Sequence, residues 1–301
     1  MKPIVVVGSM NMDLVSRSPR IPKPGETVIG RDFHTYSGGK GANQAVAVSR
    51  LDHPVVMLGA VGQDEFGKEL KGSLQSFGVN TDHIITVPGA SGTASITVDD
   101  QGENSIIVTP GANRQVLPAY LETKRGLLQN AALVLTQLEV PLETIEWLSS
   151  CCGVWGVSLM LDPAPAVRLN RSLFANVTWF TPNESEAIFY ADQEEDEDKF
   201  ASRFIELGVR NLVLKRGRDG SRIRTSTGEL YEVPTFKVDV VDTTAAGDTY
   251  NGAFAVAIAK GQTIADAARY ASAAAAISVT RKGAQPSMPS HQEVAELLMT
   301  R

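Results

Sequence analysis

Short apolar runs alternate with amphipathic stretches along most of the chain. The apolar runs are typical of buried strands and cover Ile4–Val7, Val55–Val61, Ala132–Gln137, Ser158–Leu161, Val177–Phe180 and Asn211–Leu214. Helical patterns cover Gly41–Leu51, Asp64–Phe77, Leu142–Cys152 and Asp198–Leu207. This alternation predicts parallel strands joined by right-handed crossovers. We therefore expect an α/β fold with a doubly wound, mostly parallel sheet flanked by helices.

Two segments, Val15–Tyr36 and Ile84–Thr109, show strand-like alternation with Gly and Pro turns but no helix. Alternating apolar residues on both sides of residues 99–102 predict a hairpin in the second segment. The two segments either pair as a small separate sheet or are surface excursions, and periodicity alone does not choose between them. No repeat or low-complexity linker is visible, so we expect one domain over residues 1–301.

The charge balance excludes some classes of partner. The 301 residues include 28 Lys and Arg against 34 Asp and Glu, a net charge of −6. A general nucleic-acid or anionic-membrane binder would need a basic face. No apolar run is long enough for a signal peptide or a membrane span, so we expect a cytoplasmic protein. The only cysteines, Cys151 and Cys152, are adjacent and predict reduced thiols rather than a structural disulfide.

The segment from Asp242 to Thr249 has small residues that lead into a long apolar helical pattern. Unhindered backbone N–H groups at a helix N-terminus form an anion site. Asp248 is unusual there, because a carboxylate repels a bound phosphate unless it takes a proton from an attacking hydroxyl. The alternative is that Asp248 only caps the helix.

Three further segments carry polar residues where strands end or helices begin. Gly8–Asp13 follows the first strand, and its Asn11 and Asp13 are spaced to grip adjacent hydroxyls. The glycines of Ser37–Gln44 permit close approach to a ligand, although any strand-to-helix turn can be Gly-rich. Asn183 and Glu186 share a face if a helix begins there, which suits either hydrated Mg²⁺ or a helix cap. The acidic run of residues 194–198 predicts the solvated N-terminus of another helix.

Together these segments resemble the ribokinase family of carbohydrate kinases, and the resemblance covers nearly the whole chain. The matching motifs are Gly8–Asp13, Gly38–Asn43, Gln137–Glu139, Asp162–Ala166, Thr181–Glu184, Ala245–Asp248 and Thr280–Ser287. The resemblance implies ATP-dependent phosphorylation of D-ribose at its 5-hydroxyl. It also implies a small β-sheet lid, formed here by segments near 15–36 and 84–109, and a homodimer joined through it.

The resemblance assigns most candidate site residues. The sugar would be held by Asn11, Asp13, Gly39, Lys40, Gly41, Ala42, Asn43, Glu139 and Asp248. Asp248 matches the base that deprotonates the hydroxyl, and the amides of Ala246, Gly247 and Asp248 match the anion hole. Asn183 and Glu186 match the pair that organises Mg²⁺ and its waters. A bulky Met12 between Asn11 and Asp13 would be able to reshape the sugar pocket.

The nucleotide and a monovalent cation complete the implied site. ATP would contact Asn183, Glu186, Lys215, Arg216, Gly217, Arg218, Asp219, Gly220, Gly247, Asp248 and Ser272. Here the chain departs from the family, because Lys215 replaces its usual small polar residue and Arg216 and Arg218 follow. A K⁺ loop matches Asp242, Thr244, Ser278, Arg281, Gly283 and Ser287, mostly through backbone carbonyls. The alternative is that the side chain of Arg281 itself supplies the positive charge of that loop.

Two alternative functions remain open from the sequence. One is a sugar- or nucleotide-responsive binding protein that has lost turnover, which the intact Asp248, Asn183 and Glu186 oppose. The other is a kinase for 2-deoxyribose, a nucleoside or a ketohexose, over which the Asn11 and Asp13 pair favours ribose.

Overall fold

The computed structural model describes residues 1–191 and 196–300. The strands in this part of the chain are β1 (Ile4–Val7), β2 (Asn11–Arg17), β3 (Asp32–Gly38), β4 (Val55–Leu58), β5 (Ala60–Gly62), β6 (Ile85–Val87), β7 (Gly92–Val98), β8 (Asn104–Thr109), β9 (Leu133–Thr136), β10 (Leu159–Leu161), β11 (Trp179–Phe180), β12 (Asn211–Lys215), β13 (Ser221–Thr225) and β14 (Leu230–Val233). The α-helices are α1 (Lys40–Arg50), α2 (Glu65–Ser76), α3 (Pro118–Glu122), α4 (Arg125–Gln129), α5 (Leu142–Trp155), α6 (Glu184–Tyr190), α7 (Glu197–Glu206), α8 (Ala246–Ala259), α9 (Ile264–Ser278) and α10 (His291–Met299).

The large sheet has eight strands in the order β14-β13-β12-β11-β10-β9-β1-β4. The strands from β4 to β12 in this order are parallel to their neighbours, and only β13 and β14 are antiparallel. The predicted mostly parallel α/β sheet is confirmed. The antiparallel hairpin at its edge was not predicted, because Ser221–Thr225 alternates polar and apolar residues and forms no apolar run.

The central strand β1 shows why the parallel strands appear in the sequence as continuous apolar runs. All four residues of β1 are fully buried, with Ile4 and Val6 in one core and Val5 and Val7 in the other. Successive side chains of a strand point to opposite faces, so a sheet covered on both sides needs apolar residues at every position.

A separate four-stranded sheet has the order β3-β2-β7-β8. Strand β2 pairs with β3 in antiparallel and with β7 in parallel orientation, and β7 and β8 form a hairpin. The sheet begins at Asn11, earlier than the helix-free segment that starts at Val15. Ile85–Val87 does not belong to it, because β6 pairs with β5 in a two-stranded sheet.

The predicted single strand over Val55–Val61 is wrong in one respect. The chain forms β4 and β5 in different sheets, with Gly59 between them. A Cβ atom at Gly59 would lie 3.0 Å from the carbonyl oxygen of Gly8, so the chain passes too close to that backbone for a larger residue.

The acidic run lies partly within the structure. Asp196 caps α7, where its side chain accepts a hydrogen bond from the backbone N–H of Lys199. Glu197 and Asp198 occupy the first turn, as the helix dipole favours. Glu194 and Glu195 lie outside the described residues.

Helices α1 and α8 pack closely at the carboxyl ends of the parallel strands. A Cβ atom at Gly252 of α8 would lie 2.5 Å from the Cβ of Ala47 in α1. This glycine therefore allows a short distance between the helices. The polar start of α1 faces the start of α8 as a result, and β9, β10 and β12 end beside them.

Candidate active site

Asn11 and Asp13 extend from the same face of β2, and Met12 between them points to the other face. Met12 is fully buried in the core, so its bulk does not reshape the polar face. At Gly38 a Cβ atom would lie 2.4 Å from Oδ2 of Asp13. Glycine at that position therefore leaves the space that the Asp13 carboxylate occupies.

Glu139, which follows β9, joins these residues. Its Oε2 accepts hydrogen bonds from the Ser9 hydroxyl, from Nδ2 of Asn11 at 3.4 Å and from the backbone N–H of Lys40 at 3.2 Å. The Nδ2 group of Asn113 donates to Oδ1 of Asn11 at 2.8 Å and holds that amide in place. The structure thus brings together Asn11, Glu139 and Lys40 from three separate segments.

The Gly-rich turn before α1 lies directly against the first strand's end. Gly39 has a φ of +90°, and a Cβ atom there would lie 2.7 Å from the backbone nitrogen of Asn11. A Cβ atom at Gly41 would lie 2.6 Å from the carbonyl carbon of Gly8, and Ala42 donates its N–H to the Ser9 carbonyl at 2.9 Å. These predicted residues place the start of α1 rather than offering side chains.

Charges at this site are unequal, because carboxylates outnumber the buried cations that face them. Burial raises the pKa of Asp13 to about 7, with further contributions from the negative charges of Glu139 and Asp248. Burial acts to lower the pKa of Lys40, but four carboxylates around its ammonium group outweigh burial and raise it. The site therefore suits a ligand that supplies hydroxyl donors to the carboxylates.

Asp248 is buried in the first turn of α8. Its two oxygens accept hydrogen bonds from side chains of α1, Oδ2 from Nδ2 of Asn43 at 2.9 Å and Oδ1 from Nε2 of Gln44 at 3.0 Å. Ala245 takes the N-cap position and no side chain caps the helix, so the helix-cap interpretation of Asp248 is wrong. Burial raises the pKa of Asp248 to about 6, Lys40 opposes that rise and Asp162 adds to it.

The site also contains residues to which no role was assigned from the sequence. Nε2 of Gln44 also donates to Oδ2 of Asp162 at 2.8 Å, and Nζ of Lys215 donates to Oδ1 of Asp162 at 2.9 Å. Gln137 donates to Oε1 of Gln44 and thereby fixes which way that amide points. Asp162, Gln137 and Gln44 all lie in the segments named above. Asp162 directly follows a strand, and this position was the one sequence feature that could have indicated its role in the site.

The turn that starts α8 has a strained backbone. Ala245 has a φ of +58°, in the left-handed region that a residue with a Cβ seldom adopts. The N–H of Ala246 donates to the Thr243 carbonyl at 3.2 Å, but no described residue accepts from the N–H groups of Gly247 and Asp248. Two backbone donors at the positive end of a helix are thus left for an anion.

A mostly apolar cavity of about 460 Å³ opens beside that turn. Among the predicted residues it is lined by Lys215, Gly217, Arg218, Gly220, Gly247 and Ser272. Ser272 is buried, and its hydroxyl has no hydrogen-bond partner within residues 1–191 and 196–300. Phe236, Val240 and Val279 form its apolar wall. The cavity therefore suits a flat apolar group that carries a hydrogen-bonding atom.

Arg216 and Asp219 do not line this cavity. The guanidinium of Arg216 pairs with Glu232 and lies 3.6 Å from a carboxylate oxygen of Glu197, which turns it toward the outer strands. Of the predicted cationic residues, Lys215 and Arg218 therefore face the cavity.

Asn183 and Glu186 form a capping box at the start of α6. Oδ1 of Asn183 accepts from the N–H of Glu186 at 2.8 Å, and Oε2 of Glu186 accepts from the N–H of Asn183 at 2.8 Å. The capping interpretation is confirmed by this geometry. Glu186 is nonetheless buried near other charged groups. Burial raises its pKa, the positive charge of Lys215 opposes that rise and the negative charge of Asp162 adds to it.

Asp242 connects two loops beside α8. Its Oδ1 accepts from the N–H and hydroxyl of Thr244, and its Oδ2 accepts from the N–H of Gly283 at 2.9 Å. Burial acts to raise the pKa of Asp242, but these hydrogen bonds outweigh burial and lower it. Arg281 pairs with Glu293, so its side chain does not supply the charge of this loop.

No helix within the described ranges is long and apolar enough to cross a membrane. Nor do His, Cys, Asp and Glu residues in those ranges form a group of three or more that could hold a metal ion.

Comparison with known proteins gives a consistent result. The family model "pfkB family carbohydrate kinase" matches residues 1–291. The ribokinase of Bacillus subtilis is 42% identical, over 99% of this chain and 100% of its own. The deoxyribokinase of Salmonella typhi is 36% identical, over 98% of both chains.

Solved structures agree with the sequence comparisons. The structure of Arabidopsis thaliana ribokinase complexed with ribose and ATP has a TM-score of 0.93 and 33% identity, and the match covers 99% of this chain and 98% of the other. The shared fold therefore extends over nearly the whole chain.

Proposed function

Because the chain belongs to the pfkB family of carbohydrate kinases, we propose that it is a ribokinase, which transfers the γ-phosphoryl group of ATP to the 5-hydroxyl of D-ribose. The observation that carries this proposal is the start of α8. There the buried carboxylate of Asp248 stands beside the unpaired amides of Gly247 and Asp248. On one side lies the polar cluster formed by Asn11, Asp13, Lys40 and Glu139, and on the other side lies the apolar cavity. The full-length identity to ribokinases supports ribose as the acceptor.

The polar cluster holds the sugar. Asp13, Asn11 and Glu139 accept hydrogen bonds from ring hydroxyls, and charged acceptors give the stronger bonds. Asn43 bonds to Asp248 and borders the same space. A second cavity of about 530 Å³ adjoins Asn11 and Glu139 and gives the sugar a path to this cluster.

Asp248 acts as the general base. The hydroxyl oxygen attacks the γ-phosphorus, its proton passes to Asp248, and the bond from phosphorus to the bridging oxygen breaks as ADP leaves. The amides of Gly247 and Asp248 face the charge on the transferring phosphoryl oxygens, where preorganised donors stabilise a transition state. The pKa of about 6 suits a base that is ionised at neutral pH.

ATP occupies the apolar cavity, with its base against the apolar wall and its phosphates toward the start of α8. Asn183 and Glu186 fit a role in organising Mg²⁺ through its waters, because a buried carboxylate and an amide stand together near Lys215 and Asp162. When bound, Mg²⁺ offsets the negative charge of the phosphates. Glu186 keeps its side chain fixed for that task through its bonds to Asn183.

The loops joined by Asp242 fit a monovalent cation. Asp242 is ionised at neutral pH, and no described residue donates a hydrogen bond to the carbonyl oxygens of Thr244, Arg281 or Gly283. We infer that these groups hold K⁺, together with the neighbouring Ser278 and Ser287. When bound, K⁺ neutralises the loop carboxylate beside the start of α8.

Ribose is expected to be used in preference to 2-deoxyribose. The deoxy sugar leaves one buried acceptor of the Asn11 and Asp13 pair without a hydrogen-bond donor, which typically costs about 1–3 kcal/mol. We expect kcat/KM for ribose to be roughly 10- to 100-fold higher. Parallel initial-rate assays of both sugars with ATP measure this ratio.

A ratio near one or below it would show that the enzyme is a deoxyribokinase or a less selective kinase. Asp13→Asn supplies the matched variant, because it keeps the shape of the side chain but removes the charged acceptor. If Asp13 selects for ribose, the variant loses rate with ribose more than with 2-deoxyribose.

The four-stranded sheet fits a dimer contact. All six residues of β8 are exposed, including Ile106, Ile107 and Val108, and Phe33 and Tyr36 are exposed on β3 at the opposite edge of the same sheet. We propose that a second copy of the chain covers these apolar strands, since monomers rarely expose such patches. Sedimentation equilibrium should give a dimer for the wild type and a monomer for Ile107→Asp; a monomeric wild type would overturn the proposal.

A further inference from the structure

We propose that Lys215 is a further catalytic residue, whose ammonium group donates to the transferring phosphoryl group, and that Asp162 is the positioning residue that holds it there. This inference rests on the proposed function, because it assigns a role in the same phosphoryl transfer. It concerns two side chains that connect the apolar cavity with the base Asp248.

Lys215 has spare donors that face the right place. It ends β12 and is 9% exposed, and Asp162 is the acceptor for its Nζ group among the described residues. An ammonium group has three N–H donors, so two remain. Lys215 lines the apolar cavity, and a Cβ atom at Gly247 would lie 3.6 Å from Nζ.

That position lies beside the amides that would bind the γ-phosphoryl oxygens. The Asp162 carboxylate that pairs with Lys215 also accepts from a second donor, Gln44, so a phosphoryl oxygen would give this buried cation a further acceptor. A γ-phosphoryl oxygen next to Gly247 is within reach of the remaining N–H groups. Lys215 thus adds a side-chain charge to the backbone donors at the start of α8.

Asp162 holds this ammonium group and also contacts the base indirectly. It is 2% exposed, and its two oxygens accept from Lys215 and Gln44. The same Nε2 of Gln44 donates to Asp248 at 3.0 Å. A continuous chain of hydrogen bonds therefore runs from Lys215 through Asp162 and Gln44 to Asp248.

The phosphoryl transfer needs no reactant besides the sugar and ATP. The sugar oxygen forms a bond to the γ-phosphorus, the bond to the β,γ-bridging oxygen breaks with its electron pair on ADP, and the hydroxyl proton moves to Asp248. Lys215 keeps its own protons and donates hydrogen bonds while negative charge moves on the transferred group.

Several charged groups act on Asp248 besides Asp162. Lys40 at the start of α1 favours its ionised form, while Asp13 of β2 interacts with it as a like charge. The amides of Asn43 and Gln44 also favour the ionised form. Replacing Asp162 with Asn removes one negative neighbour, so the acid limb of the pH profile should move to lower pH.

The first experiment compares Lys215→Met with the wild type at saturating ribose. We expect kcat to fall by about 10²-fold, which is typical for a charge that stabilises a phosphoryl transition state, with KM for ribose changed less than about threefold. The matched control is Arg222→Met, which removes a mostly buried, ion-paired cation from the neighbouring strand β13. Its kcat should stay within about twofold of the wild type.

A binding measurement separates this proposal from the proposed function. Calorimetry with a non-hydrolysable ATP analogue and with ADP needs no acceptor turnover. Lys215→Met should weaken binding of the analogue at least about fivefold more than binding of ADP, because only the former has a γ-phosphoryl group. If the wild type does not phosphorylate ribose, the proposed function fails while this ratio still decides the role of Lys215.

Asp162→Asn keeps the test decisive if Lys215→Met does not fold. This variant retains the lysine but weakens its hold, and we expect kcat to fall about tenfold, with an acid limb at lower pH than in the wild type. An unchanged kcat and acid limb in Asp162→Asn, or equal losses for the analogue and ADP in Lys215→Met, would overturn the proposal.

Discussion

Replacing Asp248 with Asn is expected to lower kcat for ribose phosphorylation by about 10²–10⁴-fold, the usual contribution of a positioned general base. The amide keeps the size of the side chain and can still bond to the sugar hydroxyl, so KM for ribose should change much less than kcat. Steady-state assays with saturating ATP give both constants. Near-normal turnover in this variant would remove Asp248 from the mechanism.

The pH dependence gives an independent check on Asp248. Only the ionised carboxylate can accept the proton, so kcat/KM of the wild type should fall as the pH drops below about 6 to 7, where Asp248 and Asp13 become protonated. The residual activity of the Asn variant should lack the part of this limb that belongs to Asp248. Asp266→Asn is the matched control, because Asp266 occupies the first turn of α9 but is exposed.

Loss of folding would not account for this result. The pKa of Asp248 is raised in the folded protein, so the stability it contributes is present below its unfolded pKa of about 4 and is lost as the pH rises through about 6. At pH 7.5 the wild type therefore carries a destabilising buried charge that the Asn variant lacks. Urea unfolding at that pH should show the variant to be at least as stable as the wild type.

The sequence predicted those parts of the fold that depend on local pattern. The parallel strands are buried on both faces, so each appears as a continuous apolar run, and the period-two spacing of Asn11 and Asp13 placed them on one face of β2. The edge hairpin β13–β14 has no such pattern, and its pairing depends on residues far apart in the chain. The break at Gly59 was missed for the same reason, since it follows from the nearby backbone of Gly8.

In the candidate site, too, local features could be predicted from the sequence, whereas contacts between distant segments could not. Asp248 was recognised because a carboxylate is out of place in an anion site, which is a local contradiction. Whether it caps its helix or faces α1 depends on the packing of α1 against α8, and only the structure shows Asn43 and Gln44 bonded to it. The role of Asp162 likewise depends on Lys215 and Gln44, which lie 53 and 118 residues away in the sequence.

Potassium is expected to raise kcat by about tenfold or more without changing KM for either substrate by a similar factor. Asp242 joins the turn before α8 to the loop that holds Gly283, and the amides of Gly247 and Asp248 lie a few residues further along. A bound K⁺ would neutralise Asp242 and fix the two loops in place, which would keep those amides directed at the phosphoryl group. Preorganised donors are each worth a few kcal/mol in the transition state, so a displaced turn lowers mainly kcat.

The measurement is a KCl titration of initial rates, starting from Na⁺- and K⁺-free buffer, with choline chloride holding the ionic strength constant. Asp242→Asn should need far more KCl or show no activation, because the amide lacks the charge that attracts the cation. Asp239→Asn, an exposed carboxylate three residues earlier, should respond as the wild type does. The side chain of Arg281 pairs with Glu293 and therefore does not replace the cation in this loop. Wild-type rates that stay flat across the titration would show that Asp242 only connects the two loops and binds no K⁺.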